Sequence, residues 1–161
     1  MKIKEIKTVI KEYDNESELS AEDKKLITTA REVSKKAYAP YSGFKVGAAL
    51  LLENGEIIEG NNQENSSSPV GLCAERVAIF YAGAMYPDIP AKALAITASM
   101  EHDFIDEPVT PCGSCRQTLY EHESRFNSPI RLILAGKKKI RIIEKTGDLL
   151  PLAFDKTYLE G

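Results

Sequence analysis

Three cysteines constrain this chain more than any other feature, because two of them form a C-x-x-C motif. Cys112 and Cys115 lie in the segment PCGSCRQ, and Cys73 lies well upstream. This motif occurs in redox disulfides, in structural zinc sites and in catalytic zinc sites. A thioredoxin-like redox pair usually follows a first strand and would leave Cys73 without a role. An odd number of cysteines also argues against a disulfide framework, so a metal or catalytic site is favoured.

Composition limits which partners and which cellular location can be predicted for the chain. The net charge of −3, from 21 basic and 24 acidic residues, gives no electrostatic surface for a nucleic-acid polymer. The basic run at residues 137–141 is better explained as a lysine-protected hairpin or edge strand than as a nucleic-acid patch. The first residues lack the apolar core of a signal peptide, and no apolar run approaches the roughly 20 residues of a membrane span. A cytoplasmic protein without a membrane partner is expected.

Hydrophobic periodicity predicts alternating helices and strands along most of the chain. Ser20 is a helix N-cap, and the helix it starts should end near Pro40, because a residue before proline is pushed out of the helical region. Residues 54–55 (Asn-Gly) are a hairpin signal between two strands. Pro111 is interpreted as the first residue of a helix. The predicted helices cover residues 20–39, 72–85 and 111 onward, with a short one after Pro151, and the predicted strands cover 45–52, 56–59, 92–99, 130–135 and 140–144.

A single domain of α/β class is the simplest arrangement of these elements. Strands and helices alternate after the opening hairpin, which favours a three-layer α/β/α domain around a mixed sheet of about five strands. The length of 161 residues suits one domain with a buried core, which we place at residues 20–161. Residues 1–19 are charged and weakly alternating, and they are predicted to form an N-terminal extension, either a loose arm or an extra edge strand.

The predicted helices bring the three cysteines into one chemical argument. Cys73 and Cys112 each begin a helix, and Cys115 lies one turn after Cys112. Helix N-termini favour thiolates, so two converging N-termini would hold three thiolates around one cation. Zinc suits sulfur ligands, and three protein ligands leave its fourth position open for catalysis. A closed structural site would need His102, because His122 is about two turns beyond Cys115, and that alternative stays open.

Glu75 and two arginines flank the cysteines in sequence. Residues two apart on a helix diverge by about 200°, so Glu75 is not expected to share a metal with Cys73. A carboxylate beside the metal suits a proton shuttle, whereas the alternative is a surface glutamate that stabilises a helix N-terminus. Arg76 and Arg116 directly follow motif residues and would draw negative charge from the sulfurs by hydrogen bonding to them. Ordinary helix-surface charges are the alternative for both arginines.

Several segments together resemble one family. Cys73-Ala74-Glu75 and residues 111–115 (PCGSC) resemble the zinc nucleoside deaminase signature. The small, homotetrameric, zinc-dependent cytidine deaminases have segments that are similar to residues 40–50 (PYSGFKVGAAL), 62–65 (NQEN) and 149–154 (LLPLAF). The resemblance runs in order from about residue 24 to the last residues given, and residues 1–19 lie outside it.

The resemblance implies an activity and a set of site residues. The activity is the hydrolytic deamination of cytidine and 2′-deoxycytidine in pyrimidine salvage, in which zinc-activated water attacks C4 of cytosine and ammonia leaves. One Zn²⁺ per chain would be bound by the three cysteines, with Glu75 as the general acid/base. The implied substrate-binding residues are Phe44 on the base face, Asn62 and Glu64 on the ribose hydroxyls, Ala74, and Phe154 from a neighbouring subunit of a homotetramer. Pattern alone would make Phe44 a core aromatic residue beside a strand.

One position departs from the resemblance. The family usually has a tyrosine before the proline that follows the N-x-E-N segment, and this chain has Ser68 before Pro69. In the family, that tyrosine helps to line the sugar end of the pocket across a subunit boundary. A serine there removes an aromatic contact and leaves room, which predicts weaker discrimination at the 5′ end of the nucleoside.

Other functions are compatible with the same residues. A deaminase of modified nucleosides, such as blasticidin-type compounds, or of other aminated heterocycles would keep the chemistry and change the substrate. A polynucleotide deaminase is disfavoured by the acidic net charge and by the lack of an evident basic, aromatic surface for a single strand. A non-catalytic zinc-binding assembly module would keep the cysteines and would not need Glu75.

Overall fold

The computed structural model of the protein describes residues 1–159, and this range holds three α-helices and seven strands. The helices are α1 (Ala21–Ser34), α2 (Ala74–Met85) and α3 (Gly113–Phe126). The strands are β1 (Lys11–Tyr13), β2 (Lys45–Leu52), β3 (Ile57–Asn61), β4 (Ala91–Met100), β5 (Asp103–Phe104), β6 (Arg131–Ala135) and β7 (Ile140–Ile143). Short 3₁₀ turns include Thr146–Leu149 and Lys156–Tyr158.

All seven strands belong to one mixed sheet. Its order is β1-β7-β6-β4-β2-β3, and β5 pairs with the end of β4. β4 and β6 are parallel, and the other neighbouring pairs are antiparallel. α3 lies in the crossover between β4 and β6, as expected because parallel neighbours need a long connection. The five predicted strands are present, and β1 and β5 are short additions to them.

Helices cover both faces of the sheet. In β2, Ala48 and Leu50 pack in the core under α2 and α3, whereas Ala49 and Leu51 pack in the core under α1. The near-continuous apolar run of β2 is therefore explained by burial on both faces. The prediction of a three-layer α/β/α domain around a mixed sheet is confirmed.

Gly60 in β3 sets how closely α2 approaches the sheet. A Cβ atom at this position would lie 2.3 Å from the carbonyl oxygen of Ala74 and 2.7 Å from the backbone nitrogen of Ala78. Glycine is needed here because the first turn of α2 rests directly on the strand. Cys73 and Glu75 flank Ala74, so this close contact fixes where the N-terminus of α2 presents their side chains.

The first helix is shorter than predicted. α1 begins after its N-cap Ser20, as predicted, but it ends at Ser34 rather than near Pro40. The Ser34 hydroxyl donates a hydrogen bond to the Arg31 carbonyl oxygen at 2.8 Å. Such side-chain bonds compete with regular helical pairing, and two tight backbone turns follow Ser34. The helix therefore ends through a local serine contact, well before the proline could act on it.

Two further helix predictions are wrong. Pro111 lies outside α3, because the Arg116 N–H donates to the Cys112 carbonyl oxygen and makes Cys112 the N-cap. After Pro151, the described residues form only the 3₁₀ turn Lys156–Tyr158 instead of an α-helix. Leu152 adopts a left-handed φ of 58°, which stops helical propagation.

The charged segments at the sheet edge neutralise one another. β1 lies within residues 1–19 and pairs antiparallel with β7, just after the alternating residues 2–9. The basic run lies in and after the β6–β7 turn, and its cations pair with nearby carboxylates: Lys137 with Asp103, Lys138 with Asp106, Lys139 with Glu12, and Arg141 with Glu12 and Glu107. The predicted lysine-protected hairpin is therefore the observed one.

None of the helices within residues 1–159 has the length and apolar character that a bilayer crossing requires.

Candidate metal centre and its cavity

The three cysteines meet at the N-termini of α2 and α3. Cys73 is the N-cap of α2, Cys112 is the N-cap of α3, and Cys115 lies in the first turn of α3. All three Sγ atoms lie within 4.8 Å of one another, with 3.8 Å between Cys73 and Cys112 and 3.4 Å between Cys112 and Cys115. A tetrahedral zinc ion with Zn–S bonds of about 2.3 Å separates its sulfur ligands by about 3.8 Å. The cysteine cluster therefore has the spacing of three zinc ligands.

The histidines do not close this cluster. Among residues 1–159, the three cysteines are the one group of His, Cys, Asp or Glu side chains with metal-binding spacing. His122 is buried, and its Nε2 accepts a hydrogen bond from the Ala91 N–H at 3.0 Å. His102 lies in the exposed turn between β4 and β5. The closed Cys₃His site that the sequence left open is thus not the arrangement in this part of the chain.

The helix ends and Arg76 favour ionised sulfur. In the described structure, neither Cys73 nor Cys112 makes a side-chain capping hydrogen bond, and the positive end of each helix dipole lies at its sulfur. The pKa of Cys73 is lowered to about 5, because the neighbouring Cys115 thiol and the Arg76 guanidinium both stabilise its thiolate. The interaction with Cys73, together with burial, raises the pKa of Cys115. Cys73 therefore ionises more readily than Cys115.

Glu75 lies inside the protein beside the cysteines. It is only 5% exposed, and its carboxyl group interacts with the Cys73 and Cys115 sulfurs. Burial is the main cause that raises the pKa of this carboxyl group, and the charge of Cys73 adds to it. The alternative of a surface glutamate is therefore wrong. The expected divergence of 200° does not apply, because Cys73 is an extended N-cap residue with φ −73° and ψ 153° rather than a helical one.

The two arginines hold the cysteine segments in different ways. Arg76 approaches Cys73 Sγ with its Nη2 at 3.8 Å. Arg116 donates from Nε to the Pro111 carbonyl oxygen at 2.8 Å and from Nη1 to the Leu149 carbonyl oxygen at 3.1 Å. Arg76 thus lies against a sulfur, whereas Arg116 binds backbone oxygens on both sides of the cysteine motif instead of the expected sulfur.

A cavity of about 520 Å³ opens beside Cys73, which is a suitable volume for a small organic ligand. One residue of its lining, Tyr41, was not predicted as a site residue. A second cavity of about 520 Å³ lies between α2 and α3, and among the described residues its lining contains no cysteine. The lining of the first cavity brings together five residues that the sequence singled out: Asn62, Glu64, Ser68, Cys73 and Arg76.

Glu64 is fixed by the loop that precedes β2. Its carboxylate accepts hydrogen bonds from the Tyr41 N–H at 2.8 Å, from the Ser42 N–H at 3.3 Å and from the Ser42 hydroxyl group. The Ser42 hydroxyl and the Tyr41 N–H lower the pKa of Glu64, so the carboxylate is ionised near neutral pH. No local sequence signal links Glu64 to Tyr41, because the contact depends on how the two loops meet.

Asn62 supports the start of β2. Its Oδ1 accepts from the Val46 N–H at 2.7 Å, and its Nδ2 donates to the Phe44 carbonyl oxygen at 2.9 Å. An asparagine amide has two donor and two acceptor positions, so one of each is left for a ligand. Asn62 can therefore hold the strand and still contact a bound molecule.

The remaining predicted substrate contacts are not in the lining of this cavity. Phe44 is half-buried at the start of β2, and Ala74 is buried in the first turn of α2. Phe154 is 58% exposed, and its ring stacks on Tyr158 with 5.4 Å between the ring centroids.

A three-layer domain with three thiols at two helix N-termini and a buried carboxyl group beside them has the architecture of a zinc enzyme. The family described as the cytidine and deoxycytidylate deaminase zinc-binding region matches residues 20–126. The chain therefore belongs to the cytidine and deoxycytidylate deaminase family.

Individual relatives agree with this assignment. A cytidine deaminase of Sporosarcina psychrophila is 42% identical over 138 residues, which cover 84% of this chain and 93% of that protein. A cytidine deaminase of Mycobacterium tuberculosis is 35% identical over 128 residues, which cover 78% of this chain and 84% of that protein. The crystal structure of a cytidine deaminase from Burkholderia pseudomallei has a TM-score of 0.70 at 37% identity, and the match covers 84% of this chain and 100% of that chain.

Proposed function

We infer that this protein is a zinc-dependent cytidine deaminase, which hydrolyses cytidine and 2′-deoxycytidine to the corresponding uracil nucleosides and ammonia. The observation that carries this function is the cluster of three thiols beside the buried Glu75, of which Cys73 lines a cavity that suits a nucleoside. The family assignment and the named relatives support the substrate class.

The cysteine cluster fits one Zn²⁺ per chain. Cys73, Cys112 and Cys115 would hold it, because their sulfur spacing matches tetrahedral coordination. Bound there, zinc would supply the Lewis acidity that makes hydroxide available from water near neutral pH. Three thiolates concentrate negative charge at such a site. The two helix N-termini and Arg76 draw part of this charge away from the sulfurs.

Glu75 is the group that moves protons. In the reaction, a water oxygen bonds to C4 of cytosine and the bond from C4 to the exocyclic nitrogen breaks. The exocyclic nitrogen must gain a proton to leave as ammonia, and the ring nitrogen N3 must gain one as the uracil ring forms, so the water loses both of its protons. Glu75 accepts protons from the water and delivers them to these two nitrogens. Burial raises the pKa of this carboxyl group, which brings it closer to the range where one group both accepts and donates a proton.

We assign the sugar to the part of the cavity that Asn62 and Glu64 line. The ionised Glu64 carboxylate is an acceptor for a ribose hydroxyl group, and Asn62 keeps one donor and one acceptor position for the same purpose. Phe44, directly before β2, and Ala74, in the first turn of α2, are proposed as contacts of the bound nucleoside.

We propose a homotetramer in which Phe154 reaches into the cavity of a neighbouring subunit, so that an active monomer is not expected. The exposed Phe154 ring supports this role. Self-association is also supported by α2, which presents three large apolar side chains that a second subunit would cover: Phe80, Tyr81 and Met85 are 53%, 52% and 56% exposed.

The expected setting is the cytoplasm, and the expected substrates are single nucleosides rather than nucleic-acid polymers. The acidic net charge supports this choice of substrate, because polymers favour clustered positive charge. The cations of residues 137–141 already pair with carboxylates. We further propose that residues 20–161 form the catalytic domain and that residues 1–19 are an extension of it.

The test is to incubate protein of known zinc content with cytidine and, separately, with 2′-deoxycytidine. Loss of the cytosine chromophore should be accompanied by an equal amount of ammonia and of uracil nucleoside. A blasticidin-type nucleoside in a third reaction tests the alternative substrate. If protein with one zinc per chain releases no ammonia from either cytosine nucleoside, the inferred function is wrong. Release from the blasticidin-type compound alone would then favour the modified-nucleoside deaminase.

A further inference from the structure

The segment that carries Phe154 lies along one face of α3. Arg116 Nη1 donates to the Leu149 carbonyl oxygen at 3.1 Å, and Gln117 Nε2 donates to the Phe154 carbonyl oxygen at 2.8 Å. One turn later, the Tyr120 hydroxyl group donates to Asp155 Oδ2 at 3.1 Å. Positions four residues apart lie on one side of a helix, so α3 forms a row of hydrogen-bonding side chains along the segment.

A buried carboxylate fixes where this segment begins. Glu123, one turn beyond Tyr120, is only 8% exposed. It accepts hydrogen bonds from the Thr146 N–H at 2.7 Å and from the Gly147 N–H at 2.9 Å, as well as from the Ile130 N–H at 2.7 Å. Charged acceptors of backbone N–H groups make strong hydrogen bonds. The entry of the segment is therefore anchored to the same helix that carries Cys115.

The backbone next to Phe154 is strained, which indicates that its direction is imposed. Leu152 is an exposed residue with a φ of 58°, a conformation that a non-glycine residue adopts at a cost. Strain of this kind persists where the surrounding contacts determine the conformation, and here those contacts are the bonds from α3 on both sides of Leu152.

The Phe154 side chain is also held, although it is exposed. Its ring lies on the ring of Tyr158 with an interplanar angle of 10°. Tyr158 is in the 3₁₀ turn Lys156–Tyr158, which Asp155 caps by accepting from the Thr157 N–H at 2.9 Å. Asp155 in turn accepts from Tyr120 on α3. The backbone and the ring of Phe154 are thus both tied to α3.

We propose that Gln117 and Tyr158 are positioning residues that fix Phe154 before substrate binds. This inference rests on the proposed role of Phe154 in a neighbouring cavity. An exposed side chain that must be ordered on binding weakens affinity, whereas one that is already ordered does not. Gln117 holds the backbone of Phe154, and Tyr158 holds its ring.

The chain contains no tryptophan, so Phe154→Trp introduces a single fluorescent reporter at the position in question. In this background and without substrate, Tyr158→Ala should lower the fluorescence anisotropy, because a ring that faces an empty cavity and has no stacking partner changes rotamer within nanoseconds. Tyr158→Phe, which keeps the stacked ring, should leave the anisotropy unchanged. Tyr158 is 71% exposed, so its replacement does not threaten folding. Equal anisotropy for Tyr158→Ala and Tyr158→Phe would overturn the proposal.

Kinetics in the native background test whether this order matters to the reaction. Tyr158→Ala and Gln117→Ala should each raise the KM for cytidine by about threefold to tenfold with little change in kcat, which is the effect of one side chain that must be ordered on binding. Tyr158→Phe should restore the original KM, and Glu121→Ala, an exposed position of the same helix, should not change it.

The two measurements can give different outcomes, and each combination identifies which part of the proposal is wrong. If anisotropy falls in Tyr158→Ala but KM does not rise, the contacts that fix Phe154 are supported and its role in a neighbouring cavity is contradicted. If KM rises while anisotropy is unchanged, Tyr158 acts by another route and the positioning proposal is overturned.

Discussion

The two ends of the cavity are built in different ways. The cysteine end comprises Cys73, which lines the cavity, and the adjoining Cys112, Cys115 and Glu75, which do not. It rests on two helix N-termini, and Cys115 and Glu75 are buried. The loop end, formed by Asn62, Glu64 and Ser68, lies between irregular segments and is held by side-chain bonds to backbone groups.

We infer from this difference that the cysteine end determines the rate of the reaction and the loop end determines substrate selectivity. The geometry of the cysteine end follows from packed elements, such as the close contact of Gly60 with α2, so a change there disturbs the metal or the proton transfer. The loop end can change one side chain without disturbing the core, because Ser68 is exposed. We therefore expect substitutions at the cysteine end to affect kcat and those at the loop end to affect KM.

The largest effect is expected from Cys112→Ser, because a hydroxyl group is a poor ligand for zinc. Zinc content should fall, and turnover should decrease by about 1,000-fold or more. Cys112 is exposed, so the fold should persist, and circular dichroism can verify this. Ser114→Ala, in the same turn, is the matched control and should keep both zinc and activity. A Cys112→Ser protein with full zinc content would contradict the ligand assignment.

Acidification should lower the free energy of unfolding through His122. Burial, together with the charge of Arg125, lowers the pKa of His122 to about 4. The neutral ring that accepts from Ala91 stabilises the fold fully above about pH 6.5, and this contribution is lost as the pH falls from about 6.5 to about 4. This group alone should lower the free energy of unfolding by about 2 kcal/mol between about pH 7 and pH 4.5.

A variant isolates the contribution of His122 from that of zinc loss in acid. His122→Gln offers an amide oxygen for the same hydrogen bond and does not titrate. Urea unfolding of both proteins across this pH range should show a smaller loss of stability in the variant. Parallel losses in the two proteins would show that His122 does not carry the effect.

At the loop end, Glu64→Gln should raise the KM for cytidine by about tenfold, because it removes a charged acceptor for a ribose hydroxyl group. Zinc content and kcat should change little. Glu59→Gln, on an exposed position of β3, is the control and should behave as the unmodified protein. A Glu64→Gln protein with reduced kcat and unchanged KM would break the distinction between the two ends.

Ser68→Tyr should have the smallest effect and should lower the KM for cytidine by about threefold, because it adds an aromatic contact at the loop end. Ser67→Tyr controls for the added bulk, because Ser67 is next to Ser68 in the sequence but does not line the cavity. An unchanged or raised KM in Ser68→Tyr would remove Ser68 from the account of selectivity.

Local patterns predicted the elements of the fold well. The apolar run of β2, the Asn54-Gly55 turn and the Ser20 cap each act over a few residues, and each was confirmed. The helix boundaries were less predictable. The last residue of α1 depends on the Ser34 hydroxyl bond, and the first residue of α3 depends on the backbone bond from the Arg116 N–H to the Cys112 carbonyl oxygen.

The site was predictable where its residues recur at fixed spacing and less so elsewhere. The C-x-x-C motif with Cys73 gave the metal cluster directly. The angular argument on Glu75 treated Cys73 as helical, although an N-cap residue is extended, and its conclusion that Glu75 is not a metal ligand stays a prediction. Tyr41 was missed because its N–H meets Glu64 only after two distant loops fold together.

Turnover and zinc content of Glu75→Gln, measured on the same sample, test the central claim most directly. Glutamine fills the same space in the buried pocket but cannot transfer protons. The account predicts one zinc per chain in both proteins and a loss of turnover of at least about 100-fold in the variant. Retained turnover, or loss of zinc together with turnover, would contradict the assignment of Glu75 as the proton carrier beside a separate three-cysteine metal centre.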